Sequence, residues 1–203
     1  MLHPPAGQDA PEQVVVPDSV RLLLELCADG VALTAGGRLP RAVVRRVQEQ
    51  RPAWGLESDR PAHTEEDLLP LAMLHELLRA VRLLRLVHGR LGPTKAAARD
   101  VDVVARLRAG LFDDTFHGQL CRLLLDSLLP VDEVAEGVLV DAALLRLGPA
   151  WTRQGEPLGH LDVRVAVGRA RHVLLGLDAV TTSGSLLQDH WSITATGRAL
   201  LPA

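Results

Sequence analysis

The clearest metal-ligand spacing in this chain is that of His117 and Cys121, four positions apart in a stretch with helical periodicity. Residues at i and i+4 lie on one face of a helix, and imidazole and thiolate both bind zinc. A zinc site needs at least one or two more ligands, and the nearby sequence supplies no obvious ones. We interpret the pair as a packed cysteine beside a surface histidine and expect neither metal nor cofactor.

Motifs typical of catalysis are missing from the sequence. The segment 89–95 has glycines and a lysine, as phosphate-binding loops do, but the spacing is wrong and Pro93 removes an amide that such a loop must donate. Acidic pairs such as Asp113 and Asp114 stand at predicted helix starts, where they stabilise the positive end of the helix dipole. We therefore expect a protein that is not an enzyme.

Arginine side chains are the groups through which this chain could contact a polyanion. A helix opened by Pro40 would place valines on its inner face and Arg41, Arg45 and Gln48 along its outer face. From there they could reach phosphates or guanine edges. The candidate nucleic-acid-binding residues are Arg41, Arg45, Gln48, Arg79, Arg82 and Arg90. The alternative is a set of solvated helix faces, since every basic residue except Lys95 is arginine, as in a very GC-rich genome.

Charge is distributed unevenly along the chain. The net charge of −3 and the pI of about 6.2 exclude a global attraction for nucleic acid. Basic residues nevertheless predominate from residue 79 to 108, and acids predominate from 113 to 162. Such asymmetry can orient a partner.

The cysteines and the apolar runs indicate a cytoplasmic protein. Cys27 and Cys121 lie in leucine-rich helical contexts, which predicts buried, reduced thiols without a disulfide. Apolar runs are too short to span a bilayer, and the N-terminus lacks the pattern of a signal peptide, so we expect no membrane association.

The two halves of the chain carry the same anchors in the same order, about 100 residues apart. Pro-Ala-Trp occurs at 52–54 and at 149–151, and an Arg-Leu-Leu-Leu segment precedes it in each half. Ordered matches of this kind predict a duplicated module. We expect a disordered tail over residues 1–17, one module over 18–110 and a second over 113–203.

Within each module the pattern predicts helices followed by a hairpin. Asp18 can cap the first helix, and Thr64 with Asp67 can form a capping box for a helix to about Leu84. A tight turn near His88 and Gly89 then closes a hairpin. The second half predicts helices near 115–128, 132–147 and 160–175.

A short phrase, apolar-x-apolar-Thr-x-x-Gly-Arg or a near variant, marks the strand ends. It covers Leu33–Arg38 and Ile193–Arg198, with a looser copy over Leu91–Arg99. The threonine hydroxyl can cap the next helix, and the glycine allows that helix to approach the sheet closely. This junction resembles the end of the wing in winged-helix domains.

A longer stretch resembles one family. The segments Gly30–Pro40, Glu66–Pro70 and Leu83–Thr94 are similar to the C-terminal region of uncharacterised actinobacterial proteins named after a plasmid open reading frame and transposon passenger genes. The likeness covers roughly residues 20–110, and Ala97 replaces the glycine expected in the middle motif. The resemblance implies a fold and a gene located near mobile elements, and it implies no chemical reaction.

Together these patterns predict a mainly α protein with short β-hairpins, built as two tandem winged-helix-like modules. We expect a binding protein, and the first hypothesis is that it binds duplex DNA or regulates transcription. The alternative is a protein-interaction or scaffold module with degenerate winged helices, contacting a protein partner or a second copy.

Overall fold

A computed structural model describes residues 14–55, 60–184 and 189–202. The protein is mainly helical, with small antiparallel sheets. Elements of the first half are α1 (Asp18–Leu26), β1 (Val31–Ala32), α2 (Arg41–Gln50), α3 (Leu69–Ala80), β2 (Leu84–Val87), β3 (Arg90–Pro93) and α4 (Asp100–Leu111).

The second half begins directly after α4. Its elements are α5 (Phe116–Leu128), β4 (Val134–Ala135), α6 (Glu136–Leu147), β5 (Thr152–Arg153), β6 (Glu156–Pro157), α7 (His160–Gly176), β7 (Val180–Ser183), β8 (His190–Ile193) and α8 (Ala195–Leu200). Apart from the small β5–β6 ribbon, the order helix, strand, helix, helix, hairpin is the same in both halves. Within the described residues, no helix has the length and apolar character needed to cross a membrane.

Each half contains one three-stranded antiparallel sheet, in which the last strand lies in the middle. The strand orders are β1-β3-β2 and β4-β8-β7. The first hairpin closes at His88 and Gly89, which both have positive φ (49° and 76°), as a two-residue turn with the twist of the strands requires. The predicted first hairpin is thus confirmed. Residues 185–188 of the second hairpin, and residues 1–13 of the expected N-terminal tail, lie outside the described residues.

The junction between helix and hairpin has the same hydrogen bonds in both halves. After α3, Arg82 has φ +58°, and Thr94 donates its hydroxyl hydrogen to the Arg82 carbonyl oxygen (2.8 Å). After α7, Asp178 has φ +52°, and Thr194 donates to the Asp178 carbonyl oxygen (2.6 Å). The left-handed residue ends each helix and turns the chain into the first strand of the hairpin.

The predicted threonine cap is present in the second half. Thr194 Oγ1 accepts from the Gly197 amide (2.9 Å) at the start of α8. A Cβ on Gly197 would lie 2.1 Å from the Ala179 carbonyl oxygen, so the helix approaches the sheet as closely as the motif indicates. Thr94, in contrast, forms no side-chain cap at the following 3₁₀ helix, Lys95–Ala98.

The buried apolar residues of the two halves form one connected core. Helices α3 and α7 provide the most extensive contact across it. Gly176 makes this possible, since a Cβ there would lie 2.6 Å from the Pro70 carbonyl oxygen. The valines predicted on the inner face of α2 are buried, as are Cys27 and Cys121, which are both free thiols as predicted.

The cap of α1 differs from the prediction. Asp18 is the first helical residue and caps nothing, because Pro17 holds the N-cap position. The amide of Ser19 donates instead to Asp178 Oδ2 (2.9 Å), and the same carboxylate oxygen accepts from Arg51 Nη2 (3.0 Å). A residue 159 positions away therefore caps the first helix and links the halves.

Other boundaries also differ from the predictions, including the start of α6, which lies at Glu136 rather than near residue 132. The capping box of Thr64 and Asp67 exists, but it opens a 3₁₀ turn over Glu65–Asp67 rather than α3 itself. Helix α3 ends at Ala80, about one turn earlier than expected, because Arg82 adopts the left-handed conformation. Val16, in the expected tail, is 5% exposed and belongs to the core.

Candidate anion-binding site

A surface depression of about 590 Å³ lies where the end of α3 meets the first hairpin. Its polar lining is strongly basic. The lining residues are Arg79, Arg82, Leu84, Arg85, Leu86, Thr94, Lys95, Ala96 and Arg106. Five of these nine side chains are cationic and none is acidic. We name this feature the basic depression.

Five different structural settings bring the cations together. Arg79 lies on the last turn of α3, Arg82 follows that helix, and Arg85 lies on β2. Lys95 begins the 3₁₀ helix after the hairpin, and Arg106 comes from α4. The depression thus depends on how α3, the hairpin and α4 pack against each other.

Most of these cations have no protein partner. Among the described residues, the side chains of Arg79, Arg82, Arg85 and Lys95 make no salt bridge and no hydrogen bond. Several arginines elsewhere in the described residues are paired with carboxylates. Ion pairs with N–O distances from 2.6 to 3.0 Å join Arg21 to Asp100, Arg38 to Glu66, Arg46 to Glu49, Arg51 to Asp178, Arg99 to Asp102 and Arg153 to Asp162. The basic depression therefore concentrates positive charge that the rest of the fold does not balance.

Arg82 occupies a backbone conformation that disfavours arginine. Non-glycine residues with positive φ are uncommon, and Asn and Asp tolerate that region best. The equivalent junction in the second half has Asp178. Left-handed conformations of non-glycine residues cluster at functional sites, and here the conformation brings a guanidinium group into the basic depression.

Arg106 fixes one wall of the depression. Its Nη1 donates to the Val81 carbonyl oxygen (3.0 Å), just after the end of α3. This bond satisfies a backbone acceptor at the helix terminus, where carbonyl groups lack intrahelical partners. Because arginine has five N–H donors, the other guanidinium hydrogens stay available to an anion.

Of the six predicted site residues, only Arg79 and Arg82 line the basic depression. Arg41 and Arg45 are exposed on α2, as predicted, but they line a different part of the surface. Arg90 donates to the Gly30 carbonyl oxygen, joining the hairpin to the turn after α1.

Gln48 is half-buried on α2, and its side-chain amide already has two backbone partners, so its expected contact with nucleic acid stays a prediction. Its Nε2 donates to the Arg60 carbonyl oxygen (2.8 Å), and its Oε1 accepts from the Ala62 amide (2.7 Å). Both ends of the side-chain amide are therefore used to hold the loop between α2 and α3.

The residues that sequence reasoning omitted are Arg85, Lys95 and Arg106. Arg85 lies at an exposed position of β2, one residue after the strand begins, a signal that was accessible in the sequence. Lys95 follows the strand-ending threonine, and Arg106 lies on a separate helix. Nothing in the linear pattern joins these two to α3.

His117 and Cys121 do lie on one helical face, with His117 Nε2 3.7 Å from Cys121 Sγ. Cys121 is fully buried, and burial raises its pKa to about 12, which keeps the thiol protonated at neutral pH. Within the described part of the chain, no group of three or more His, Cys, Asp or Glu side chains is arranged to hold a metal ion.

Comparison with known proteins assigns no relative to this chain. No family model matches it, no curated protein matches it, and no solved structure matches it. The geometry and charge of the protein itself therefore carry the functional proposal below.

Proposed function

We propose that this protein binds duplex DNA through the basic depression, and that each half is a winged-helix-like module. The observation that carries the proposal is the cluster of Arg79, Arg82, Arg85, Lys95 and Arg106, which has no acidic neighbour among the described residues of the lining. Phosphate neutralisation by Lys and Arg supplies essentially all non-specific affinity for DNA. A local cationic cluster can supply it even though the net charge of the chain is −3.

The element order supports the winged-helix interpretation. A helix, a short strand, two helices and a hairpin follow each other in both halves, and the strand before the two helices pairs with the last strand of the hairpin. In helix-turn-helix proteins the second helix of the pair carries the residues that contact bases. In this order that helix is α3 in the first half and α7 in the second.

The packing of α3 against α7 favours contacts to phosphates over contacts to bases. Gly176 lies against Pro70 near the start of α3, and Arg169 pairs with Glu76 (3.4 Å) further along it. Much of the helix is thereby covered, while its last turn, with Arg79, opens onto the basic depression. Phosphate contacts position a protein on DNA and carry no sequence information directly, so we expect a weak sequence preference.

Salt dependence of binding tests the proposal. Fluorescence anisotropy with a short random-sequence duplex, from about 50 to 200 mM salt, should give a log-log slope of about −0.9 per phosphate contacted. Replacing both Arg79 and Lys95 by Ala should make that slope shallower by about 1.8. Both positions are exposed, so the fold should persist.

The matched control is Arg41→Ala with Arg45→Ala, which removes the same charge from α2. This variant should retain the wild-type slope if the basic depression is the binding surface. Absence of binding at about 50 mM salt would refute DNA binding. Equal flattening by the two double variants would refute the assignment to the basic depression.

The second candidate function is a protein-interaction module, and exposed apolar side chains on the second half favour it. Leu145 on α6 and Leu161 and Val165 on α7 are 77%, 73% and 66% exposed. Exposed apolar groups of this kind mark interaction sites when they are contiguous. Analytical ultracentrifugation tests self-association through them, and a monomer at high concentration would leave only a different protein partner for this function.

A further inference from the structure

A second cavity, separate from the basic depression, lies between α3, α5 and α7 beside the end of α4. Its volume is about 460 Å³. The apolar side chains in its lining are Met73, Leu77, Ala80, Leu111, Phe116, Ala166 and Val173. Four helices thus contribute to one apolar surface at the contact between the two halves.

The polar groups of this cavity are few. Glu76 Oε2 and Arg169 Nη2 lie 3.4 Å apart, so one negative and one positive charge offset each other. His117 is the third polar lining residue, and burial lowers its pKa below the usual 6.5, with the nearby Arg169 acting in the same direction. Its imidazole is therefore neutral at pH 7, and with Nε2 facing Cys121 Sγ it leaves Nδ1 for one further hydrogen bond.

The geometry points to a binding site for a small, uncharged, apolar ligand that carries one hydrogen-bonding group. Pockets for such ligands have volumes of roughly 300–1,000 Å³, a largely apolar lining and a few polar groups that fix orientation. In this cavity the apolar body of the ligand would contact Leu77, Phe116 and Val173. Its polar group would meet His117, whose Nε2 already faces the sulfur of Cys121.

Charge gives this site no preference for an ionised ligand. Glu76 and Arg169 are counter-ions of each other, so neither an anion nor a cation meets an unpaired charge in the lining. The ligand class therefore differs from that of the basic depression, where unpaired cations favour an anion. The two sites can be tested independently, because ligand binding here needs no nucleic acid.

Isothermal titration calorimetry with 4-butylphenol as the probe tests the proposal. We expect saturable binding to the wild-type protein and much weaker binding of 4-butylbenzoate, which has the same apolar body and a negative charge. Ala166→Phe places an aromatic ring in the cavity and should weaken 4-butylphenol binding by at least about tenfold, equivalent to roughly 1.4 kcal/mol.

The matched control is Ala105→Phe, an exposed position of α4 that does not line the cavity. It should bind the probe like the wild type. If Ala166→Phe does not fold, Ala80→Phe fills the same cavity from the exposed end of α3. The absence of saturable binding to the wild type, equal binding by the cavity-filling and control variants, or equal affinity for the charged probe would each overturn the proposal.

Discussion

The carboxylate of Asp178 links the two halves, and replacing it should destabilise the whole protein. One of its oxygens accepts from the amide of Ser19 (2.9 Å) and from Arg51 (3.0 Å), while its own backbone has φ +52°. A substitution can remove the helix cap, the ion pair or the residue's tolerance of the left-handed conformation. Three variants separate these contributions.

Asp178→Ala removes the helix cap, the ion pair and the residue's tolerance of the left-handed conformation. Loss of an N-cap acceptor costs about 1 kcal/mol. The ion pair is partly screened, with side chains 28% and 22% exposed, so we take about 1 kcal/mol for it, the upper end for surface pairs. Alanine in the left-handed region adds a further cost of about 1 kcal/mol. The free energy of unfolding should therefore fall by about 3 kcal/mol.

Asp178→Gly and Asp178→Asn should be milder. Glycine adopts positive φ without a steric cost, so the free energy of unfolding of Asp178→Gly should fall by only about 2 kcal/mol. Asparagine tolerates the conformation and keeps an oxygen acceptor for the Ser19 amide, so only the ion pair is lost, at about 1 kcal/mol.

Urea unfolding followed by tryptophan fluorescence measures these differences. Trp54 reports on the first half and the buried Trp191 on the second, and the connected core predicts one transition that shifts as a whole in each variant. The reasoning is refuted if Asp178→Ala changes the free energy of unfolding by less than about 0.5 kcal/mol, the usual effect of a plain surface substitution. It is equally refuted if Asp178→Gly is less stable than Asp178→Ala.

Two further predictions concern the contact between α3 and α7 and the response to pH. Gly176→Ala should destabilise the protein by at least about 1 kcal/mol, a typical overpacking cost, because the new Cβ would meet the Pro70 carbonyl oxygen. Gly168→Ala on the same helix places its Cβ in open space and should stabilise the protein by up to about 1 kcal/mol. Thermal melts check both, and a neutral Gly176→Ala would contradict the close helix contact. Burial lowers the pKa of His117 and His172 in the folded protein below the usual value of 6.5. As the pH drops from about 7 to 5.5, the unfolded state therefore binds more protons than the folded state, and the free energy of unfolding should fall. The midpoints of urea unfolding, measured across that pH range, test this prediction. It would be contradicted if the midpoint changed with pH equally in the wild type and in the variant with His117→Gln and His172→Gln.

The sequence alone determined features that depend on local chemistry. The valines of α2 have helical spacing, so their burial on one face could be predicted. The turn at His88 and Gly89 and the cap formed by Thr194 also follow from residue types a few positions apart. These predictions are confirmed because the interacting groups are close in the chain, where propensity and capping rules apply.

Tertiary structure alone decided which distant groups meet. The cap of α1 comes from Asp178, although Asp18 is a suitable residue at the expected place. Gln48 holds a loop, because its amide finds two backbone partners after folding. Sequence patterns identify a donor or an acceptor, but they do not show which partner the fold brings within about 3 Å of it.

The same division applies to the candidate site. Arg79 and Arg82 were identifiable from their positions near the predicted end of a helix, whereas Lys95 and Arg106 join them only because the hairpin and α4 pack beside α3. Charge counting along the chain located a basic region. Only the folded arrangement decides which of its cations share one surface without acidic partners, since electrostatic interaction depends on distance in space rather than on separation in sequence.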